Sequence, residues 1–205
     1  MAGTNSDKRI VFAGNPGLAS REHTAGLVSV LAKLQGGWKV LCASRSGVLM
    51  KDMYRFVETD ALTLHPDKLI LAPSQADLVM ARSGTRELVY ELKQAVEKIR
   101  QVKDDCEIVV ASYLPFAQSP EYSLNRKGRE VFAAFTESLG NSRVVLCDVL
   151  GYLLQCVERI EPIPVTTDGV QLTEHGRLLA AIYVAGCLGL VIPTADRTIE
   201  PDESG

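Results

Sequence analysis

The chain has 205 residues, of which 46% are hydrophobic and 23% charged, and a formal net charge of −3. That length accommodates one domain with a buried core, and the composition is that of an ordinary globular chain. The slight negative charge excludes a global basic field, so any nucleic-acid contact must be a local patch.

No apolar run approaches the ~20 residues of a membrane-spanning helix, and Met1–Asp7 is small and polar, unlike a signal peptide. The expectation is an intracellular chain, cytoplasmic or nuclear, with no membrane partner. Residues 1–8 are expected to form a flexible N-terminus, 9–192 the folded domain, and 193–205, which ends DRTIEPDESG, an acidic disordered tail.

In chain order, short runs rich in Val, Ile and Leu alternate with helical patterns. The predicted strands are Arg9–Ala13, Trp38–Cys42, Lys68–Ala72, Glu107–Ala111 and Arg143–Cys147. Each is nearly continuous in apolar residues, as expected where both sheet faces are covered. Between the first two, Leu27, Leu31 and Leu34 recur at helical spacing, and a helix with unclear ends falls within 48–57. Leu88, Leu92, Ala95, Ile99 and Val102 mark another helix, with a solvated side of Glu87, Glu91, Lys93, Lys98 and Arg100. Val131, Phe135 and Leu139 mark the next; Leu178, Ile182 and Ala185 mark a final, mostly buried one.

Strands alternating with helices imply right-handed crossovers and a parallel sheet. The predicted fold class is α/β: a three-layer α/β/α sandwich on a five-stranded parallel sheet, flavodoxin-like, with any site at the carboxyl ends of the strands.

Cysteines 42, 106, 147, 156 and 187 are odd in number and lack C-x-x-C spacing, so they read as buried free thiols rather than metal ligands. His23 and His65 read as surface or loop residues. No G-x-G-x-x-G or P-loop pattern occurs, and no cofactor or metal is expected.

Four strand-end loops carry a resemblance. Gly14-Asn15-Pro16-Gly17-Leu18 follows the first strand and Ala43-Ser44-Arg45-Ser46-Gly47 the second. Ser74-Gln75-Ala76-Asp77 follows the third, and Asp168-Gly169-Val170-Gln171-Leu172-Thr173-Glu174-His175-Gly176 precedes the last helix. In order and spacing these are similar to the G-D-S-L, glycine, G-x-N-D and D-G-x-H-L-T-x-x-G blocks of the SGNH (GDSL-type) hydrolases. Asn125-Arg126-Lys127 also resembles a family segment. The resemblance spans roughly 9–190 and implies the fold given above.

It also implies where chemistry is missing. In active members a serine attacks an acyl carbon, a histidine takes its proton, and an aspartate orients the histidine. The serine position here is Pro16 and the histidine position Gln171; Asp168 alone remains. Glutamine does not titrate near neutral pH and cannot shuttle a proton. The oxyanion positions are Pro16, Gly47 and Ala76, of which proline lacks an N–H and alanine lacks the amide. Loss of one oxyanion donor costs roughly 10²–10³ in turnover. Loss of the nucleophile in a serine protease costs about 10⁶, nearly as much as loss of the whole triad.

The expected vestigial cleft comprises Asn15, Pro16, Gly47, Ser74, Ala76, Asp77, Asp168, Gln171 and His175. Asn15-Pro16-Gly17 also reads simply as a tight turn entering a helix, and Asp168 as a structural residue. Relocated catalysis would pair Ser20, Ser44, Ser46 or Ser74 with His175, which shares a helical face with Gln171 if both lie in one helix. Cys42 is a poorer nucleophile, being inside a strand. Arg21, Arg45, Lys51, Arg55 and Arg82 form a candidate basic rim for phosphate, or else a scattered solvated surface.

The expectation is a non-catalytic domain that binds a protein or RNA partner. The acidic balance favours protein, and the uncharged Ala76 and Gln171 leave room for a small neutral ligand. The rival is an esterase or acetyl hydrolase working through a relocated serine and His175. Oligomeric state stays open.

Overall fold

In the computed structural model, the described residues are 8–14, 31, 38–43, 48–80, 84–117, 119, 121–140, 143–159, 164–167, 169 and 171–190. The strands are β1 (Lys8–Gly14), β2 (Trp38–Cys42), β3 (Lys68–Ala72), β4 (Glu107–Ala111) and β5 (Val144–Cys147). They form one sheet in the order β2-β1-β3-β4-β5, and every pairing is parallel. This is the flavodoxin-like order, with its reversal between β1 and β3. The helices are α1 (Met50–Phe56), α2 (Gln75–Met80), α3 (Thr85–Val102), α4 (Ser123–Ser138), α5 (Val149–Arg159) and α6 (Glu174–Cys187).

Strand side chains alternate between the faces, and the two cores follow that alternation. Ile10, Phe12, Ile70, Ala72, Val109 and Ala111 pack with residues of α5 and α6 on one face. Val11, Ala13, Leu69, Leu71, Ile108 and Val110 pack with α1, α3 and α4 on the other. The result is the three-layer α/β/α sandwich expected from the strand composition.

All five predicted strands are present, three with the expected bounds. β1 begins at Lys8 and ends at Gly14, where the backbone adopts φ +118° and a side chain would overlap the Ala72 carbonyl oxygen. Only glycine lets β1 run this far beside β3.

The helices depart more from expectation. α1 continues into a π turn (Val57–Ala61) and a 3-10 turn (Leu62–Leu64), ending at the left-handed His65 (φ 52°). Val57, Ala61 and Leu62 are buried, so the irregular turns keep an apolar edge on the core. Val102, expected on the core face of α3, is 56% exposed, and Leu178 of α6 is 41% exposed. Ala185 is buried as expected, and it shares the face of α6 that meets the sheet with Gly176, Ala180, Ala181 and Val184. Small side chains allow the helix to approach closely, so side-chain size misidentified the buried stripe.

Periodicity did not single out α5. Its apolar residues follow β5 with only Asp148 between, so strand and helix merge into one hydrophobic run. Asp148 marks the boundary by accepting the Gly151 N–H at 3.0 Å, as an N-cap does. Leu31 is helical and buried, while Leu27 and Leu34 lie outside the described residues. The expected flexible N-terminus, Lys8 apart, and acidic tail also fall outside them.

Candidate functional site

The carboxyl ends of β1, β3 and β4 lie side by side, and the loops leaving β3 and β4 are built around hydrogen bonds to main chain. After β3, Ser74 Oγ accepts the Ala76 N–H at 3.2 Å, and Asp77 Oδ2 accepts the Ser74 N–H at 3.1 Å. The serine at the helix start thus satisfies the Ala76 donor and the acid three residues on satisfies the serine's own, a variant of the capping box. The other carboxylate oxygen, Asp77 Oδ1, accepts the Met50 N–H at 2.8 Å and so caps α1 as well. Asp77 is only 4% exposed. Burial raises its carboxyl to about 6, against the lowering effect of the Met50 and Ser74 N–H groups.

Gln75 points from the same turn to the β4 loop, its Nε2 donating to the Pro115 carbonyl at 3.0 Å. That loop is fixed from beneath. The Ser112 N–H donates to the Cys147 carbonyl, and Ser112 Oγ accepts the Leu150 N–H, each at 2.8 Å. Tyr113 is buried, which pushes its phenol well above the usual range, with Asp77 and Glu91 adding to the shift. Asn125, fully buried at the start of α4, accepts the Phe116 N–H at 2.8 Å. Its amide nitrogen donates to the carbonyls of Ala117 at 3.0 Å and Ser119 at 2.9 Å. Lys127 Nζ donates to the Leu78 carbonyl at 3.0 Å, tying α4 to α2.

The segment before α6 folds as a tight turn. Thr166 and Leu172 form an antiparallel bridge, the Thr167 N–H donates to the Gln171 carbonyl at 2.9 Å, and the Thr173 N–H to Val165 at 2.9 Å. Gly169 (φ +80°) sits so close to the Phe116 carbonyl that a Cβ would lie 2.7 Å from its oxygen. The turn therefore rests against the β4 loop, and the last motif meets the carboxyl edge of the sheet.

Thr173 caps α6. Its hydroxyl accepts the Gly176 N–H at 3.0 Å and donates to the Pro164 carbonyl at 2.6 Å. This corrects one sequence expectation. Gln171 lies two residues before the cap, in the turn, while His175 lies in the first helical turn. The two do not share a face of one helix, because Thr173 is extended (φ −63°, ψ 171°). Both side chains are exposed.

Of the expected cleft, Ser74, Ala76, Asp77, Gln171 and His175 are described. Asn15, Pro16, Gly47 and Asp168 lie outside the described residues, as do Ser20, Ser44 and Ser46. Asp77 faces inward as a double cap rather than lining an open space. Sequence reading missed the bracing by Gln75, Ser112 and Asn125; only Asn125 gave a signal, through its family-like segment.

Of the candidate rim, Lys51 and Arg55 are exposed one turn apart on α1, and Arg21, Arg45 and Arg82 lie outside the described residues. Lys51 also borders a groove of about 240 Å³ between α1 and α3, lined by Met50, Tyr54, Tyr90, Gln94 and Lys98 among others. Lys98 Nζ sits 4.8 Å from the centre of the Tyr54 ring, a cation–π contact. Glu91 lines the same groove, and its carboxyl is raised by burial and by Glu87 and Asp77, with Lys51 opposing. The groove therefore carries charges of both signs.

Among the described residues, no group of three or more His, Cys, Asp or Glu is placed to hold a metal ion, and no helix is long and apolar enough to cross a membrane. None of the five cysteines forms a disulfide; Cys106 and Cys147 are buried, whereas Cys42, Cys156 and Cys187 are only partly so.

No family model matches the chain, and no curated protein matches it. Solved structures do. A member of the lipolytic protein G-D-S-L family from Veillonella parvula superposes with a TM-score of 0.74 at 17% identity, covering 87% of this chain and 97% of its own. An acetylxylan esterase from Geobacillus stearothermophilus, a catalytic mutant, gives 0.72 at 12% identity, covering 90% and 95%. A GDSL-like lipase from Parabacteroides merdae gives 0.68 at 16% identity, covering 90% and 97%. The likeness establishes a shared fold, that of the GDSL-type esterases and lipases.

Proposed function

We propose that this SGNH-fold chain is a hydrolase-like domain without hydrolytic activity, kept as a binding module for another protein. The observation that carries the reading is the pair Pro16 and Gln171, standing where the family has its nucleophile and its proton carrier. Neither side chain can perform the step required at its position.

The geometry of the described residues supports this. Ala76, at the position of the oxyanion asparagine, offers a methyl group. Asp77, Ser74 and Gln75 direct polar atoms at neighbouring main chain, as expected of a scaffold maintained for shape. Gln171 and His175 are exposed at the edge and could contribute to a polar contact surface.

A protein partner fits better than RNA. The chain is acidic overall, and Lys51 and Arg55 share α1 with Asp52, with Glu58 in the π turn that follows. A second open groove of about 730 Å³ along α4 likewise mixes Arg126 and Arg129 with Glu130, Glu137 and Asp148. Polyanions select single-sign surfaces, whereas mixed charge suits the polar rim of a protein interface.

Two experiments test the proposal. A fluorophosphonate probe should leave the purified chain unlabelled; labelling lost in His175→Ala would establish relocated catalysis instead. Single-stranded RNA titrated at low salt should bind weakly, with little change in Lys51→Glu/Arg55→Glu. Tight binding abolished by that pair would replace the protein partner with RNA.

A further inference from the structure

On the sheet face that carries α1, α3 and α4, α3 lies in the middle and packs against both neighbours. That leaves α4 at the end of the row, joining β4 to the edge strand β5. α2 and α5 touch it near Gly128. The remaining side of α4 exposes Arg126, Arg129, Glu130, Ala133 and Glu137. These line the open groove of about 730 Å³, together with the buried Phe132.

The charges on this face are ordered along the helix. Arg126 and Arg129 lie toward its amino end, and Glu137 is the last residue but one. The helix dipole favours the reverse order. Arg126 has Glu130 four residues on, a pair the helix can satisfy by itself. Arg129 and Glu137 have no opposite charge three or four positions away. Among the described residues the ion pairs are Lys68–Glu107 and Lys103–Asp105, so neither of the two is neutralised there. Local helix stability does not account for this pattern.

We infer that this face of α4 pairs with the same face of a second copy of the chain, antiparallel about a two-fold axis at Ala133. Arg129 and Glu137 stand four residues either side of Ala133. Reversing one helix against the other therefore sets Arg129 of each copy opposite Glu137 of the other. A two-fold interface presents one patch to itself, so the patch must be self-complementary. Ordered charges of opposite sign with a small residue at their centre meet that requirement. The methyl group of Ala133 lets two helix axes approach to the usual 8–10 Å, and the groove beside it gives the second helix room. A partner of one sign, such as RNA, would match half of the face and be repelled by the other half.

A single helix face is small for a protein interface, which places the pairing in the weak, reversible class. Exposed ion pairs contribute little individually and are screened by salt. The two-fold axis doubles every contact, so one substitution removes two pairs. The pairing is independent of whether the cleft is catalytic, and it is read as mass rather than turnover.

The test is sedimentation equilibrium of the full chain, from micromolar to high concentration, at low and at high salt. The expected result is a shift from the mass of one chain to that of two as concentration rises, weakened by salt. Arg129→Glu and Glu137→Arg should each weaken the dimer about tenfold or more, since each sets like charges opposite one another twice. The double variant Arg129→Glu/Glu137→Arg should restore it, and so should an equimolar mixture of the two single variants. All four positions in these arrangements are exposed on the helix, and circular dichroism checks that each variant folds. A single-chain mass at every concentration would overturn the inference and leave the face to a different protein. A dimer indifferent to the single variants, or one that the double variant fails to restore, would overturn it as well.

Discussion

Asp77 accepts the backbone N–H of Met50 at 2.8 Å, joining residues 27 positions apart. One buried carboxylate thereby starts two helices, its own and α1. Two N–H donors and two helix N-termini favour the charged form, yet burial outweighs them and raises the group to about 6.

Stability should therefore depend on pH through this residue. The folded value lies above the ordinary carboxylate range, so the folded chain holds the proton more tightly than the unfolded chain. The contribution is complete below about pH 4 and is lost as pH rises through about 6. Two pH units correspond to roughly 3 kcal/mol. Urea denaturation at several pH values should show this decline, and Asp77→Asn should flatten it. An unchanged slope in the variant would mean that other groups, such as Glu91, govern the dependence.

Asn125 should be the least replaceable polar residue of the β4 loop. It satisfies one backbone donor and two acceptors with no solvent access. Asn125→Ala leaves those groups buried without partners, a loss of roughly 2–4 kcal/mol. Chemical denaturation would measure it, and faster amide exchange at Phe116 would place the damage in the loop.

Gly176→Ala should destabilise through contact rather than conformation. Gly176 is helical, but an added methyl would overlap the Val165 carbonyl oxygen. Overpacking of this kind costs about 1–3 kcal/mol. Gly186, in the same helix and facing open space, is the control: alanine there should be neutral or stabilising, because alanine is the better helix former. Melting temperatures of the two variants should diverge in opposite directions.

The strands were legible because Val-, Ile- and Leu-rich runs bounded by polar segments report burial on both faces directly. Arg9–Ala13 and Lys68–Ala72 needed no partner information to be recognised. α5 was hidden because Val144–Leu154 reads as one apolar stretch interrupted by a single aspartate. Leu178 misled because the close approach of α6 selects alanine and glycine for its buried face. At the site, the motifs located the loops, but Gln75 to Pro115 and Ser112 to Leu150 span 40 and 38 positions. Such pairings arise only once the sheet order is set, and no local spacing encodes them. The face shared by Gln171 and His175 failed for a local reason, since the Thr173 cap starts the helix after Gln171.

The central claim of the proposal is that this chain carries no acyl-transfer chemistry. Its most direct test is the rate of p-nitrophenyl acetate hydrolysis by the purified chain, measured beside His175→Ala. The account predicts rates indistinguishable from buffer for both proteins. Turnover in the parent chain that disappears in His175→Ala would contradict it.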